Sequence, residues 1–316
     1  MAPDQIALSV VVPVYLNSPS LAEVVERLEA LQERIGRRVE AVFVVDGSPD
    51  DSAAVLRSLL TGSTLVSRLI LHSRNFGAFA AIRTGFAAAR GDIVSAMAAD
   101  LQEPIELIEQ FYEHLSSGNW DVAVGTRTKR NDPAASRGAS RLYWAFYRRV
   151  VQREMPSGGV DILACTRSVA HQLAGLGESN SSLIGLLFWL GYRRVEVPYM
   201  REERKHGKSA WSFRKKYQYL LDSIFSFTSL PITLILNVGV LGTIVSFVAA
   251  LVVFAAWLFG AIEVAGYTAQ MLVLLFATGS ILFALGIVGT YVWRTFENTK
   301  GRPNSVVMLT EAFGDG

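Results

Sequence analysis

From Pro231 to Trp293 the chain carries a single acidic or basic side chain, Glu263, with a long apolar run on either side of it. No other feature restricts the fold as much. A helix over Val238 to Phe259 would hold 22 uncharged residues and reach about 33 Å, enough to cross a bilayer core. The second run, Tyr267 to Trp293, is long enough to do the same. Helices of a soluble core seldom go this far without a polar face, so the sequence predicts two membrane spans. Arg214, Lys215 and Lys216 precede the first span, Arg294, Lys300 and Arg302 follow the second, and the loop around Glu263 has no basic residue. This asymmetry puts both ends of the pair on the cytoplasmic side.

The rest of the chain reads differently. Hydrophobic residues are 51% of the 316 and charged residues 18%, with the apolar excess concentrated in the two runs. A net charge of +2 is too small to argue for nucleic acid, and its clustering beside the apolar runs points to a membrane surface. MAPDQIALSVVVPVY has no positive region ahead of its apolar run and reads as a strand, so no cleaved signal is expected. Cys165 is alone, which excludes an internal disulfide and suits a reducing compartment. The four histidines, at 72, 114, 171 and 206, show no ligand spacing and suggest no metal.

Before the apolar runs, short β-rich stretches (IALSVVVPV, VEAVFVV, SRLILH, GDIVSAM, WDVAVG) alternate with segments of helical spacing such as SLAEVVERLEALQERI. The alternation predicts an α/β domain, a parallel sheet covered by helices that binds ligands at the carboxyl ends of its strands. Asp46, in VVDGSPDD, and Asp100, in MAADLQEPIE, both stand just past such ends and can converge if their strands are near neighbours. There is no GxGxxG after the first strand and no GxxxxGK[ST], which removes most of the support for a dehydrogenase or an ATPase.

Seven segments occur in one order: VVPVYLN (11–17), VVDGSPDDS (44–52), SRNFGAFAAIRTGF (73–86), ADLQEP (99–104), VGTRTKR (124–130), GGVDILACTR (158–167) and RKHGKSAWSFRKK (204–216). With the two runs that follow, the chain resembles the family-2 glycosyltransferases that load a sugar onto a polyprenyl phosphate, among them undecaprenyl-phosphate glucosyltransferases and dolichyl-phosphate mannose synthases. The resemblance implies a nucleotide-diphosphosugar transferase domain of the GT-A type over residues 1–211. An amphipathic juxtamembrane helix (212–230), two transmembrane helices (231–295) and a cytoplasmic β tail (296–316) would follow. It also implies inverting transfer of a sugar, glucose from UDP-glucose, to undecaprenyl phosphate at the cytoplasmic face of the membrane.

By the same resemblance Pro13, Tyr15 and Asp46, with Ser48 beside them, line the base and ribose pocket. Arg74, Asn75 and Gly77 lie near the nucleotide. Asp100 and Gln102 approach the diphosphate and a Mg²⁺ or Mn²⁺ ion. Asp161 stands at the reacting centre, and Arg127, Arg204 and Ser209 handle phosphate, Arg204 also taking part in catalysis. In relatives the tail can pair with a neighbouring subunit, which implies a homo-oligomer, a tetramer by resemblance, although a disordered tail is as simple a reading.

Two departures qualify this. Many relatives have successive acids where this chain has Val45 and Asp46, and two acids spaced by one residue where it has Ala98 and Asp100. Ala98 leaves a metal site lean in carboxylates, in which Asp100, Gln102, Glu103 and the donor diphosphate would supply the oxygens. A catalytically silent scaffold that kept the fold therefore stays open, and measured sugar transfer would separate the two. A processive polymerase is disfavoured, because the QxxRW run is absent.

The acceptor phosphate is anionic at neutral pH, with a second pKa of roughly 6, and needs little deprotonation. Asp161 is thus expected to orient the acceptor and stabilise positive charge on the sugar, with general-base action as the second reading. Arg201, Arg204, Lys205 and Lys208 could fold over the phosphate or merely touch anionic lipid. Phe213, Tyr217, Leu220, Leu221, Ile224 and Phe225 recur at helical spacing beside basic residues, as in a helix lying in the interface; SSLIGLLFWLGY (181–192) is either a second such helix or a core helix.

Overall fold

The computed structural model describes residues 5–127, 145, 147–149, 151–156, 159–178, 182–202, 213–259 and 267–314. Eight strands, β1 (Leu8–Val14), β2 (Val39–Val45), β3 (Val66–His72), β4 (Ile93–Ala96), β5 (Val122–Arg127), β6 (Leu163–Thr166), β7 (Arg194–Tyr199) and β8 (Val307–Phe313), form one sheet among the described residues. Their order is β7-β5-β6-β4-β1-β2-β3-β8. β1 pairs in parallel with β2 and β4, β2 with β3, and β5 with β7, whereas β6 runs against β4 and β5, and β8 against β3. The sheet is therefore mixed, where the alternation of strands and helices predicts a parallel one. No local pattern fixes the reversed direction of β6.

The first two strands read as unbroken aliphatic runs because helices cover both faces. Val10, Val12 and Val14 of β1, with Ala41, Phe43 and Val45 of β2, belong to the core shared with α1 (Leu21–Ile35), α2 (Ser52–Thr61) and α4 (Ile105–Ser116). Val11, Val42 and Val44 point the other way, into the core shared with α3 (Ala78–Ala88), α5 (Arg167–Gly175) and α6 (Leu183–Trp189). The helix within the stretch 181–192, α6, is thus a core helix: Leu183 to Phe188 are all buried. Its Gly185 lies flat against the ring of Phe227, which occupies the space a Cβ would need.

At the amino ends of the strands the sheet buries a charge. Glu40 is wholly enclosed; Ser9 Oγ (2.5 Å), Arg90 N and Arg90 Nε (2.8 Å each) donate to it, and Arg68 lies 3.4 Å away.

Three helices lie between β7 and β8 among the described residues: α7 (Phe213–Phe227), α8 (Leu230–Leu258) and α9 (Tyr267–Thr299). α8 begins at Leu230, ahead of the Val238 expected from composition, and α9 continues past Trp293. Among the described residues one segment, Ala277–Thr299, is by itself long and apolar enough to cross a membrane, and none of it is buried within the chain. Leu220–Phe227 and Leu230–Gly242 pass the same test only as a pair bent by 73°. α7 forms where the helical spacing predicts it, and Leu220 and Phe227 pack on the α3–α6 side of the core. Arg294 of α9 pairs with Asp222 of α7 and sits over the ring of Phe225. The tail is ordered as β8, on the edge of this chain's own sheet.

Candidate active site

The carboxyl ends of β1, β2, β3, β4, β5 and β7 share one rim, and the connections diverge between β1 and β4, the place where open α/β sheets form a ligand crevice. Two non-glycine residues among those described have left-handed backbones, Leu16 (φ 57°) just past β1 and Leu101 (φ 59°) just past β4. Each costs on the order of 1–2 kcal/mol. Both lie on this rim, and strain that persists in such loops is a mark of function. The loops are stitched together: Leu16 N donates to Ser48 Oγ (2.8 Å), Ser48 Oγ to Asp50 Oδ1 (2.6 Å), Ser18 N to Asp50 Oδ2 (3.2 Å), and Ser20 Oγ to Ala99 O (2.7 Å). Pro13 ends up half-buried and Tyr15 exposed beside this knot.

Asp46, only 2% exposed, is the hub of the loops after β2 and β3. Phe76 N donates to its Oδ1 (2.9 Å) and Gly77 N to its Oδ2 (2.7 Å), which fixes the start of α3. His72 Nδ1 lies 2.8 Å from Oδ1. Burial alone would raise the Asp46 pKa, but the His72 contact and the two amides outweigh it and hold the carboxyl below its ordinary 3.8. An ionised carboxylate only accepts, so His72 Nδ1 carries the proton of that bond. Gly47 (φ +58°) presses on the Arg74–Asn75 backbone so closely that a Cβ would sit 2.3 Å from Arg74 C. No other residue type lets the two loops meet. Arg74 and Asn75 are exposed, the guanidinium lying 4.1 Å from the centroid of Phe76.

Because the fold lowers the Asp46 pKa, the unfolded chain takes up this proton first as pH falls. Its contribution is complete above about pH 4 and is lost as pH drops through the folded pKa. An Asp46→Asn variant is expected to be less stable than wild type at pH 7 and to lose less of its stability between pH 5 and pH 3, as read by thermal melts across that range.

A second group gathers at the ends of β4, β5 and β7. Arg127, at the end of β5, forms an ion pair with Asp161, and Tyr199 Oη, at the end of β7, donates to Asp161 Oδ2 (3.2 Å). Burial and then the charges of Asp161 and Glu103 push the Tyr199 pKa up, so the phenol keeps its proton. Burial pulls the Arg127 pKa down, but Asp161 and Tyr199 more than restore it, so the guanidinium stays charged. Glu103 is 4% exposed and its Oε2 has no hydrogen-bond partner among the described residues. Its burial, and then the nearby Asp100 carboxylate, raise its pKa to about 7 against the pull of Arg201. Gln102 Oε1 accepts from Arg201 Nη2, and Gln102 O from Glu202 N (2.9 Å), so the ADLQEP loop holds the root of the basic segment.

Of the residues singled out from sequence, Asp46, Arg74, Asn75 and Gly77 share one loop cluster, which Ser48 joins to the end of β1, where Pro13 and Tyr15 lie. Asp100, Gln102, Arg127 and Asp161 share the other. Arg204 and Ser209 lie outside the described residues, as do Lys205 and Lys208. His72, Asp50 and Tyr199 were not foreseen. His72 ends a strand legible in the sequence, so the rule that selects Asp46 and Asp100 would have found it, whereas Tyr199 ends β7, which the sequence reading did not include.

Strained loops and two carboxylate clusters on the rim of a mixed, helix-covered sheet define a ligand-binding α/β enzyme domain. Residues 9–172 match the model of glycosyl transferase family 2, and the chain belongs to that family. It is 33% identical over 300 residues to an undecaprenyl-phosphate 4-deoxy-4-formamido-L-arabinose transferase of Pseudomonas aeruginosa strain LESB58, covering 94% of this chain and 88% of that one. The transferase of the same description from Sodalis glossinidius strain morsitans is 30% identical over 304 residues, with 95% and 92% covered. An uncharacterized glycosyltransferase of Bacillus subtilis strain 168, YkcC, is 29% identical over 303 residues, with 96% and 93% covered.

Proposed function

We propose that this glycosyltransferase moves a sugar, glucose from UDP-glucose in our reading, onto a polyprenyl phosphate such as undecaprenyl phosphate, with inversion, at the cytoplasmic face of a membrane. The observation that carries the reading is the meeting of two unlike groups on one rim: the Asp46 loops, suited to a nucleoside, and the Arg127–Asp161–Tyr199 cluster, suited to an anionic acceptor. The relatives' names support the acceptor class. They carry a different sugar, so the hexose rests on the motif resemblance alone.

In this reading residues 1–211 are the catalytic domain, 212–230 the juxtamembrane helix, 231–295 two spans formed by α8 and α9, and 296–316 the cytoplasmic tail. Pro13, Tyr15, Asp46 and Ser48 receive the base and ribose, and Arg74, Asn75 and Gly77 flank the nucleotide. Arg127, Arg204 and Ser209 take the acceptor phosphate. Asp161 aligns that phosphate behind the anomeric carbon and steadies positive charge on the ring. Copies of the chain assemble into a homo-oligomer.

A divalent cation, Mg²⁺ or Mn²⁺, belongs beside Asp100, where it would neutralise the leaving diphosphate. The residues fit it. No group of three or more His, Cys, Asp or Glu side chains forms a cation cage among the described residues. Two crowded carboxylates, one with a buried oxygen unpartnered among those residues, nonetheless favour a positive ion there. Mg²⁺ commonly keeps few protein ligands and several waters. Gln102 Oε1 accepts from Arg201 and has a second lone pair to offer the ion.

The test is transfer in detergent from a panel of UDP- and GDP-sugars to undecaprenyl phosphate, with and without each ion. Ion-dependent product from one donor is expected. Donor binding with no product from any member would favour the silent scaffold.

A further inference from the structure

We infer that the C-terminal segment, from Ser305 through β8, is a positioning element of the donor pocket, holding Asp46 in place through Thr84 and His72. The inference rests on the reading of Asp46 as a donor contact.

The chain of contacts is continuous. His72 is the last residue of β3, and its two ring nitrogens face opposite partners, Asp46 Oδ1 at 2.8 Å and Thr84 Oγ1 at 2.9 Å. Thr84 Oγ1, on α3, also lies 3.1 Å from the carbonyl four residues back (Ala80 O), so its single proton is shared between that oxygen and His72 Nε2. Its oxygen also lies 2.9 Å from Ser305 Oγ. The path from the exposed tail to the buried carboxylate therefore needs only two intervening side chains. Asp46 in turn accepts the amides of Phe76 and Gly77, whose positions set the loop with Arg74 and Asn75.

The backbone delivers the tail to the same place. β8 runs antiparallel to β3 from Ser67↔Phe313 to His72↔Val307, and the register shifts between Leu71 and His72, at the residue that contacts Asp46. Ser73 N donates to Val306 O (3.0 Å), extending the pairing past the shift. Far from the pocket, Arg57 of α2 grips Glu311 with three bonds of 2.7–3.0 Å, which fixes β8 along the edge strand. A strand that only covered a sheet edge would have no need of a hydroxyl reaching Thr84. Residues 300–304 are all that separate α9 from Ser305, so the last long helix and the donor loop are joined by one short strut.

The test uses the full-length chain in detergent. UDP and GDP are titrated separately into wild type, Ser305→Ala, Thr84→Val and Thr84→Ser, and amide exchange is followed at Phe76 and Gly77. One hydrogen bond lost from the relay is expected to weaken binding of whichever nucleotide wild type takes by roughly two- to ten-fold. The KM for the nucleotide sugar should rise in Ser305→Ala and Thr84→Val with kcat retained, and exchange at Phe76 and Gly77 should quicken. Thr84→Ser keeps the hydroxyl and should match wild type. Ser305 is at the surface side of the relay, so its variant carries the test even if Thr84→Val folds poorly. Unchanged affinity and exchange in Ser305→Ala, with wild type binding, would overturn this inference alone. Binding of neither nucleotide by wild type would overturn the donor reading and this inference with it.

Discussion

Asparagine at position 161 is expected to cut the turnover of sugar transfer about 10²- to 10³-fold while leaving nucleotide affinity nearly unchanged, the pattern of an interaction made chiefly in the transition state. The carboxylate is held from two sides, by the Arg127 guanidinium and by the Tyr199 phenol, which keeps its proton. Such clamping suits a group that must hold position more than one that must swing to fetch a proton. The arginine side chain is only 18% exposed, so removing its partner also leaves a poorly solvated cation. A thermal melt of the single variant separates the two effects. If Asp161 serves only to balance Arg127, the midpoint falls together with turnover; if it acts on the reacting sugar and phosphate, turnover falls with the midpoint little changed. Full activity in the single variant would refute both.

Glu40→Ala is expected to cost about 3 kcal/mol of stability, because it removes a buried acceptor from three donors, although the partly exposed Arg90 and Arg68 keep access to water. For a domain of this size that lowers the thermal midpoint by roughly 10 °C, which circular dichroism would read directly. The carboxylate has no exposure to water, and it accepts from a hydroxyl, a backbone amide and a guanidinium at once. Ser9 Oγ, which donates to it, also accepts from Gly91 N (2.8 Å), so the loss reaches the turn before β4. Glu40→Gln, which keeps an acceptor but no charge, should fall between. A midpoint within a degree or two of wild type for Glu40→Ala would mean the charge contributes nothing to the fold.

Much of the central sheet was legible because strands covered on both faces need aliphatic residues at every position, and VVVPV or VFVV can hardly do anything else. The rule that chemistry sits at strand ends then selected Asp46 and Asp100, and the likeness to known motifs added Arg127 and Asp161. What could not be read was pairing across long separations. LACT is too short to announce that it runs backwards, and nothing in VMLTEAF names β3 as its neighbour. His72 was dismissed because it lacks metal spacing, yet its role comes from Asp46, Thr84 and Ser305, brought together only by the fold. Gln102 shows the same limit: an amide beside an acid reads as a ligand, and only its contact with Arg201 reveals the other demand on it.

The backward strand β6 has an evolutionary corollary. With β5 ending at Arg127 and β6 starting at Leu163, the intervening excursion departs from and returns to the same margin of the sheet, the one that bears Asp161. Tyr147 and Met155 of that excursion are buried in the core on the α3–α6 side, so they belong to the scaffold as much as the strands do. Changes of length there are tolerated only where these anchors and Asp161 keep their places.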